Sequence, residues 1–581
     1  MKPFCLLPLL VLLGSFCSLE TANILCLVTT AKHSNPGWSR PLFDALLAKG
    51  HTLLVVSTAP NPEPKKQVDG FLYHHLRNDY DVMKKYFLLE KPREYMDMAT
   101  LNQLVVWNEV LVGSCRSVLF SDTLSSKMPE LTARLCSEFD LIITDVTQGI
   151  ECLMDFVNGW RSKPVLGLSA GKLTPGLLSL LQAENTINAA RIPHYISPFP
   201  QKMGFWNRLH NHIMYYTEPL IRLMATRLVL SNITKMENIF PTLQLVLLNT
   251  HPTLDYVQNL PPGVIEVAGL HIKSKPSPLP KYIRQFTEMF IDGIVYINMP
   301  YIQYMNGQGL EAMDTMISDN PSCGFIWNVE QLDQLPAEKP NLLALHVDQS
   351  LQQDILAMQY VKGFLNHGDS FSLQEAIHNA VPVVVLPLKL EEFNNAQRVK
   401  ERNLGVVLQA NELNQKSLSA ALKRILNEVH FASALYQAQL KFRTRPISPL
   451  ELAVWHAEQL IAEPQFFKNF AQTEALAQNF FVANSLDVLA APFLVLLAAV
   501  VALGNFVFVL FTGRSKDQLS NEEVPKKRKK SKKCSKNSSP MNTTLNLDVT
   551  DITEDLNEEL LEGEEQLPRG EEKLLEEKKV D

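Results

Sequence analysis

Apolar residues along this chain fall into short unbroken runs, divided by turns and by longer stretches with one apolar face. Unbroken runs of that length are what strands need when both faces of a parallel sheet are covered by helices. Asn23–Thr29 is the first run. A loop at His33–Ser39, a helix at Arg40–Lys49 and the turn Gly50-His51 lead to the second, Thr52–Ser57. Phe139–Asp145 and Leu243–Thr250 continue the series, and the latter is expected to close a first α/β domain. The Pro-rich Pro261–Pro280 then reads as a linker, and Ile294–Asn298 opens a second α/β domain. Within it Val361–Leu365 runs into Asn366-His367-Gly368, and Ser372 stands three residues before Glu375. That capping-box spacing predicts a helix opening at Ser372. Ala376, Ile377 and Ala380 supply its apolar face, and Val381–Leu388 is the next buried strand. Strand, turn, helix and strand make a βαβ unit whose helix N-terminus, with free N–H groups and a positive dipole end, suits a phosphate. An ordinary βαβ unit with no ligand has the same pattern.

The ends of the chain differ from its middle. Met1–Cys17 pairs Lys2 with the apolar run Phe4–Leu13 and then small residues, the layout of a secretory signal peptide, with cleavage placed between Cys17 and Ala22. Val488–Phe511 is apolar except for Pro492, Gly504 and Asn505, which is long enough to cross a hydrocarbon core. Arg514, Lys516 and the run Lys526–Lys533 follow it, so the positive-inside rule predicts a single-pass type I protein with a cytosolic C-terminus. The basic run alone would also fit nucleic-acid binding. Beside a membrane span it reads as a topology determinant and a contact for anionic lipid, and no nucleic-acid partner is expected. The net charge of −7 over 581 residues hides this segregation, because Asn546–Asp581 is strongly acidic. Lys578-Lys579 near the end has the form of a dilysine retrieval signal for the endoplasmic reticulum.

Eight cysteines are scattered without C-x-x-C or Cys/His clusters, so neither a zinc site nor a disulfide framework is indicated, and no metal is expected. Asn232-Ile233-Thr234 is a sequon on the lumenal side and makes Asn232 the expected glycosylation site. Boundaries follow: 1–22 signal peptide, 23–260 first domain, 261–290 linker, 291–440 second domain, 441–487 crossover helices and membrane approach, 488–511 transmembrane helix, 512–581 cytosolic tail.

His367, Gly368, Ser372, Glu375 and Pro382, then Glu391-Glu392 and Asn395, with Gln352–Ala357 upstream, resemble the signature of family-1 UDP-glycosyltransferases. The membrane-bound animal UDP-glucuronosyltransferase type is the nearest, and the resemblance extends over roughly 23–511. It implies two Rossmann-like doubly wound domains of the GT-B type facing a central cleft. It further implies transfer of a sugar from a UDP-sugar to a small lipophilic acceptor in the endoplasmic reticulum lumen, with no cofactor beyond the UDP-sugar co-substrate. Membrane attachment and association with itself or with related transferases come with it. The donor would be held by Gln352, His367, Gly368, Ser372, Glu375 (on the ribose hydroxyls) and Glu391 (on the sugar).

The chain also departs from that pattern. The family's catalytic His falls on Asn35, sixteen residues before His51, where a neutral amide cannot take a proton. His33, two residues earlier, is the candidate substitute, with Asp145 at the position that orients the base. A bare Asp at a strand end also fits a helix cap. Met299-Pro300-Tyr301 replaces a Gly-Ser approach to the phosphates, Gln349 a uracil-stacking Trp, Asp369 a glycine, and Glu391-Glu392 an Asp-Gln pair. These changes imply an alternative: a catalytically impaired member acting as a binding or regulatory pseudoenzyme.

Overall fold

The computed structural model describes residues 21–28, 37–58, 68–75, 99–119, 138–147, 163–181, 183–230, 243–299, 307–329, 338–388, 391–466, 482 and 485–516. Two parallel sheets carry the fold. The first holds β1 Asn23–Val28, β2 Thr52–Ser57, β3 Phe71–His75, β4 Leu141–Asp145, β5 Val165–Ser169, β6 Leu245–Leu248 and β7 Val264–Glu266, in the order β3-β2-β1-β4-β5-β6-β7. The second holds β8 Ile294–Asn298, β9 Gly324–Asn328, β10 Leu342–Leu345, β11 Val361–Asn366, β12 Val383–Val385 and β13 Gly405–Val407, in the order β10-β9-β8-β11-β12-β13. The helices, in chain order, are α1 Arg40–Ala48, α2 Thr100–Leu119, α3 Pro175–Leu180, α4 Phe205–Leu230, α5 Lys281–Thr287, α6 Gly307–Ser318 and α7 Gln349–Leu356. They continue with α8 Ser370–Asn379, α9 Glu391–Glu401, α10 Gln415–Asn427, α11 Val429–Arg443, α12 Pro449–Ala462 and α13 Leu486–Lys516.

The unbroken apolar runs make sense because each sheet buries both faces. Leu25 and Leu27 of β1 join one core while Ile24, Cys26 and Val28 join another, the alternation a pleated strand imposes. In the second sheet Val295 and Ile297 face one core, Ile294 and Tyr296 the other. Cys26 and Cys323 are buried free thiols. Burial pushes the Cys26 thiol far above its usual range and Cys323 up to about 11, so both are inert packing groups.

Two expectations need correction. Leu243–Thr250 is not the last strand of the first sheet: β7 pairs beyond β6, inside the stretch read as linker, because Val246–Leu248 leaves an open edge that Val264–Glu266 covers. Of Val381–Leu388 only Val383–Val385 is ladder, since β13 offers only Gly405–Val407 to pair with. α12 begins at a capping box of Ser448 and Glu451 and packs Ala453, Val454, Ala457 and Leu460 against the face of the first sheet that also carries Leu42 and Leu46. Lys49 of the first half donates to Glu458 at 2.6 Å, so the end of the second half is fastened to the first. Leu486–Phe511 of α13 is long and apolar enough to cross a membrane.

Strand order reverses direction beside β1/β4 in one sheet and β8/β11 in the other, and open α/β sheets bind ligands at the carboxyl ends of such strands. In the second sheet that end is Asn366-His367-Gly368. In the first it is Asp145 and the loop after β1. His33 and Asn35 on that loop lie outside the described residues, as do Asn232, Pro300, Tyr301, the signal segment and the C-terminal tail.

Candidate active site

The turn from β11 into α8 is built for a close approach. Gly368 has φ +91°, and a Cβ there would stand 2.7 Å from Val385 Cγ1. Its N–H donates to Asn366 Oδ1 at 2.7 Å, and its carbonyl accepts from Asn395 Nδ2 at 2.8 Å. The His367 ring is buried, with Nδ1 3.0 Å from the Leu386 carbonyl oxygen, which favours the tautomer protonated at Nδ1.

The helix opens earlier than the capping-box spacing indicates. Asp369, at φ −63° and ψ 150°, is the N-cap, and its Oδ1 accepts from the Ser372 N–H at 2.9 Å. Ser372 is therefore the third helical residue and not the cap. Leaving Gly368, the chain is already helical at Ser370, so of two overlapping capping patterns the earlier one is used. One of the N–H groups that would face a phosphate is thus satisfied by a carboxylate of the chain itself.

Glu375, one turn further, is sealed from solvent. Its Oε2 accepts from Gln352 Nε2 at 2.7 Å and its Oε1 from Gln353 Nε2 at 3.2 Å, with His271 Nε2 3.3 Å away. Gln352 Oε1 in turn accepts from the Tyr296 hydroxyl at 3.0 Å and Asn298 Nδ2 at 2.7 Å. Burial first, and then the Glu375, Asp369 and Asp348 carboxylates, hold the Tyr296 phenol well above its usual range, so it stays a neutral donor. Gln352 and Glu375, both assigned to the donor by the resemblance, are in contact, within a network made of protein groups.

Glu391, at the start of α9, is half-buried and lies 3.5 Å from the Ser370 hydroxyl, which donates to it. Glu392 is buried, and its Oε2 accepts from the Leu388 N–H at 3.0 Å, tying down the start of α9. Asp145 is buried at the end of β4, and Oδ1 accepts from the Thr147 N–H at 2.9 Å. Among the described residues no group of His, Cys, Asp or Glu is arranged to hold a metal ion.

Several residues at this site escaped sequence reading. Lys172 Nζ stands 3.1 Å from Asp255 Oδ1 and donates to Asn394 Oδ1 of α9 at 2.9 Å. Asn394 Nδ2 reaches the carbonyls of His194 and Ser197. Gln374 donates to the Asn249 carbonyl and accepts from the Gly269 N–H. Arg398 donates to the Leu254 and Asp255 carbonyls, with its guanidinium 4.0 Å from the Tyr256 ring centroid. These contacts join α8 and α9 to the first half of the chain. The one sequence signal for Lys172 was its position just past the carboxyl end of β5.

The family model for UDP-glucoronosyl and UDP-glucosyl transferases matches residues 45–518. The chain belongs to this family. It is 25% identical over 458 residues to UDP-glucosyltransferase 2 of Dactylopius coccus, covering 76% of this chain and 84% of that protein. It is also 25% identical over 491 residues to human UDP-glucuronosyltransferase 1A9, covering 78% and 85%. Among solved structures the calicheamicin glycosyltransferase CalG4 superposes with a TM-score of 0.50 at 16% identity, over 76% of this chain and 98% of that one. At that identity the likeness speaks for the fold alone, which is GT-B.

Proposed function

We propose that this UDP-glycosyltransferase family member is a membrane-anchored protein of the endoplasmic reticulum whose cleft takes a UDP-sugar and a small lipophilic acceptor for sugar transfer. The reading is supported above all by the turn at the switch point of the second sheet, where His367, Gly368 and the start of α8 sit beside Gln352 and Glu375. His367 and Ser372 would face the diphosphate, Glu375 and Gln352 the ribose, and Glu391 the sugar. Asp145, with His33 in place of the missing base at Asn35, would serve the acceptor hydroxyl. The single-pass type I topology, the signal peptide, the domain boundaries given above and a glycan on Asn232 are part of the same proposal, supported by the charge layout around α13.

A second reading, a binding or regulatory protein without turnover, is favoured by a specific observation. Asp369 places a carboxylate on the helix end meant for phosphate, and Glu375 has its oxygens engaged by Gln352 and Gln353. The two readings separate on the full-length protein in detergent. Incubation with UDP-glucose or UDP-glucuronic acid and a panel of phenols should release UDP in step with glycoside. UDP-sugar binding without any glycoside would establish the second reading in place of the first.

A further inference from the structure

The segment that leaves the first sheet after β7 does more than span the distance to α5. Between Gly269 and Ser277 it is fastened repeatedly to α7 and α8. The Gly269 N–H donates to Gln374 Oε1 at 3.0 Å, and the His271 carbonyl accepts from Gln353 Nε2 at 3.0 Å. The Lys273 N–H donates to Gln353 Oε1 at 2.9 Å. Lys273 Nζ then pairs with Asp354 Oδ2 at 2.7 Å, and the Ser277 N–H donates to Asp354 Oδ1 at 2.7 Å. These bonds fix where the His271 ring lies.

That ring is buried and stands edge-on to Phe371, with centroids 5.1 Å apart. Its Nδ1 has no hydrogen bond among the described residues, a cost that an apolar side chain would not carry. What the imidazole reaches is Glu375: Nε2 lies 3.3 Å from Oε1, a charge contact and not an aligned hydrogen bond. The two oxygens of Glu375 are thus met from different sides. Oε1 meets His271 and Gln353, the latter itself bonded to the segment on both sides of its amide. Oε2 meets Gln352 Nε2, which also donates to the Ser372 hydroxyl at 3.4 Å, toward the β11–α8 turn. A carboxylate oxygen has room for two hydrogen bonds, and among the described residues Oε2 accepts this one. The last torsion of a glutamate is broad, so its partners set the plane of the carboxylate. Partners on Oε1 therefore aim Oε2 at the turn.

We propose that His271 is a positioning residue for ribose recognition: from the segment between the two sheets it holds Oε1 of Glu375, so that Oε2 is presented to a hydroxyl of the nucleotide. This rests on the donor reading above, in which Glu375 meets the ribose. Glu375 is sealed from solvent, so the hydroxyl reaches Oε2 by taking the place of the Gln352 amide.

Calorimetric titration of the full-length protein in detergent tests this by comparing UDP with its dideoxy analogue, which lacks both ribose hydroxyls. Wild type should bind UDP about tenfold to a hundredfold more tightly, the range of a hydrogen bond to a charged acceptor. His271→Leu should bring the two nucleotides to within about threefold of each other, by weakening UDP and leaving the analogue where it was. His271→Gln, which keeps a neutral N–H donor, should restore most of the ratio. If the leucine variant fails to fold, His271→Asn, whose shorter amide falls short of Oε1, is read in its place. A folded leucine or asparagine variant that keeps the wild-type ratio would overturn the proposal. So would an equal loss of affinity for both nucleotides, which is what a merely structural role produces, or a glutamine variant that restores nothing. A wild type that binds UDP no better than the analogue refutes instead the placing of Glu375 on the ribose, and with it the role of His271.

Discussion

Asp369 is where the chain's own chemistry competes most directly with a nucleotide diphosphate. Its carboxylate is half-buried and caps α8 by accepting from the Ser372 N–H. A phosphate brought to the same helix end would sit about 4 Å from this charge, a repulsion of about 1 kcal/mol in bulk water and about 4 kcal/mol near a protein surface. Half burial puts the cost between those limits. Asp369→Asn keeps the cap, because Asn is as good an N-cap as Asp, and removes the charge alone. Asp369→Gly removes both, at a stability cost of only a few tenths of a kcal/mol. Either variant should lower the dissociation constant for UDP by about fivefold to several hundredfold, following about tenfold per 1.4 kcal/mol. Calorimetric titration of the full-length protein with UDP reads this, and uridine is the control, since Asp369 acts only on the phosphates. Variants that melt like wild type yet bind UDP no better would refute the reasoning. An equal gain for uridine would show that the carboxylate acts through the fold and not through charge.

Other consequences can be checked on stability. Gly368→Ala combines a positive φ with a Cβ 2.7 Å from Val385 Cγ1 and should destabilise by about 1–3 kcal/mol; Val385→Ala should recover the part due to the clash but not the part due to φ. Lys172→Met leaves Asp255 with its His251 N–H at 2.9 Å but without its buried cation, and should cost about 3 kcal/mol in denaturant unfolding, partly restored by adding Asp255→Asn. Burial, foremost, lowers His251 and His378 from 6.5 to about 4, with the Arg445 charge adding to it at His251 and the Arg443 charge at His378. Between pH 6.5 and about 4 the unfolded chain thus binds more protons at these sites than the folded one. Their stability contribution is full above pH 6.5 and is lost as pH falls through about 4, so His251→Gln with His378→Gln should flatten the fall of melting temperature across that window.

Local pattern made much of the architecture legible. Thr52–Ser57 and Ile294–Asn298 are strands as read, and the strand ending in Asn366 lies at a switch point, because a run buried on both faces needs no partner information to be recognised. The cap of α8 was misread because Asp369/Ser372 and Ser372/Glu375 overlap with the same spacing, and only the backbone at Gly368 decides between them. The contacts between the two halves were not legible at all. Lys172 and Asn394 meet across 222 positions, and Gln374 and Asn249 across 125, so no window of sequence contains both partners. Glu375 shows the same gap: its type and place could be read, while the Gln353 and His271 neighbours that enclose it could not.

Amide hydrogen exchange on the full-length protein, with and without saturating UDP-sugar, tests most directly whether the β11–α8 end of the second sheet is the donor site. Protection should appear from His367 to Glu375 and in α7 around Gln352, and should strengthen in Asp369→Asn. Binding accompanied by protection elsewhere, with these segments unchanged, would contradict it.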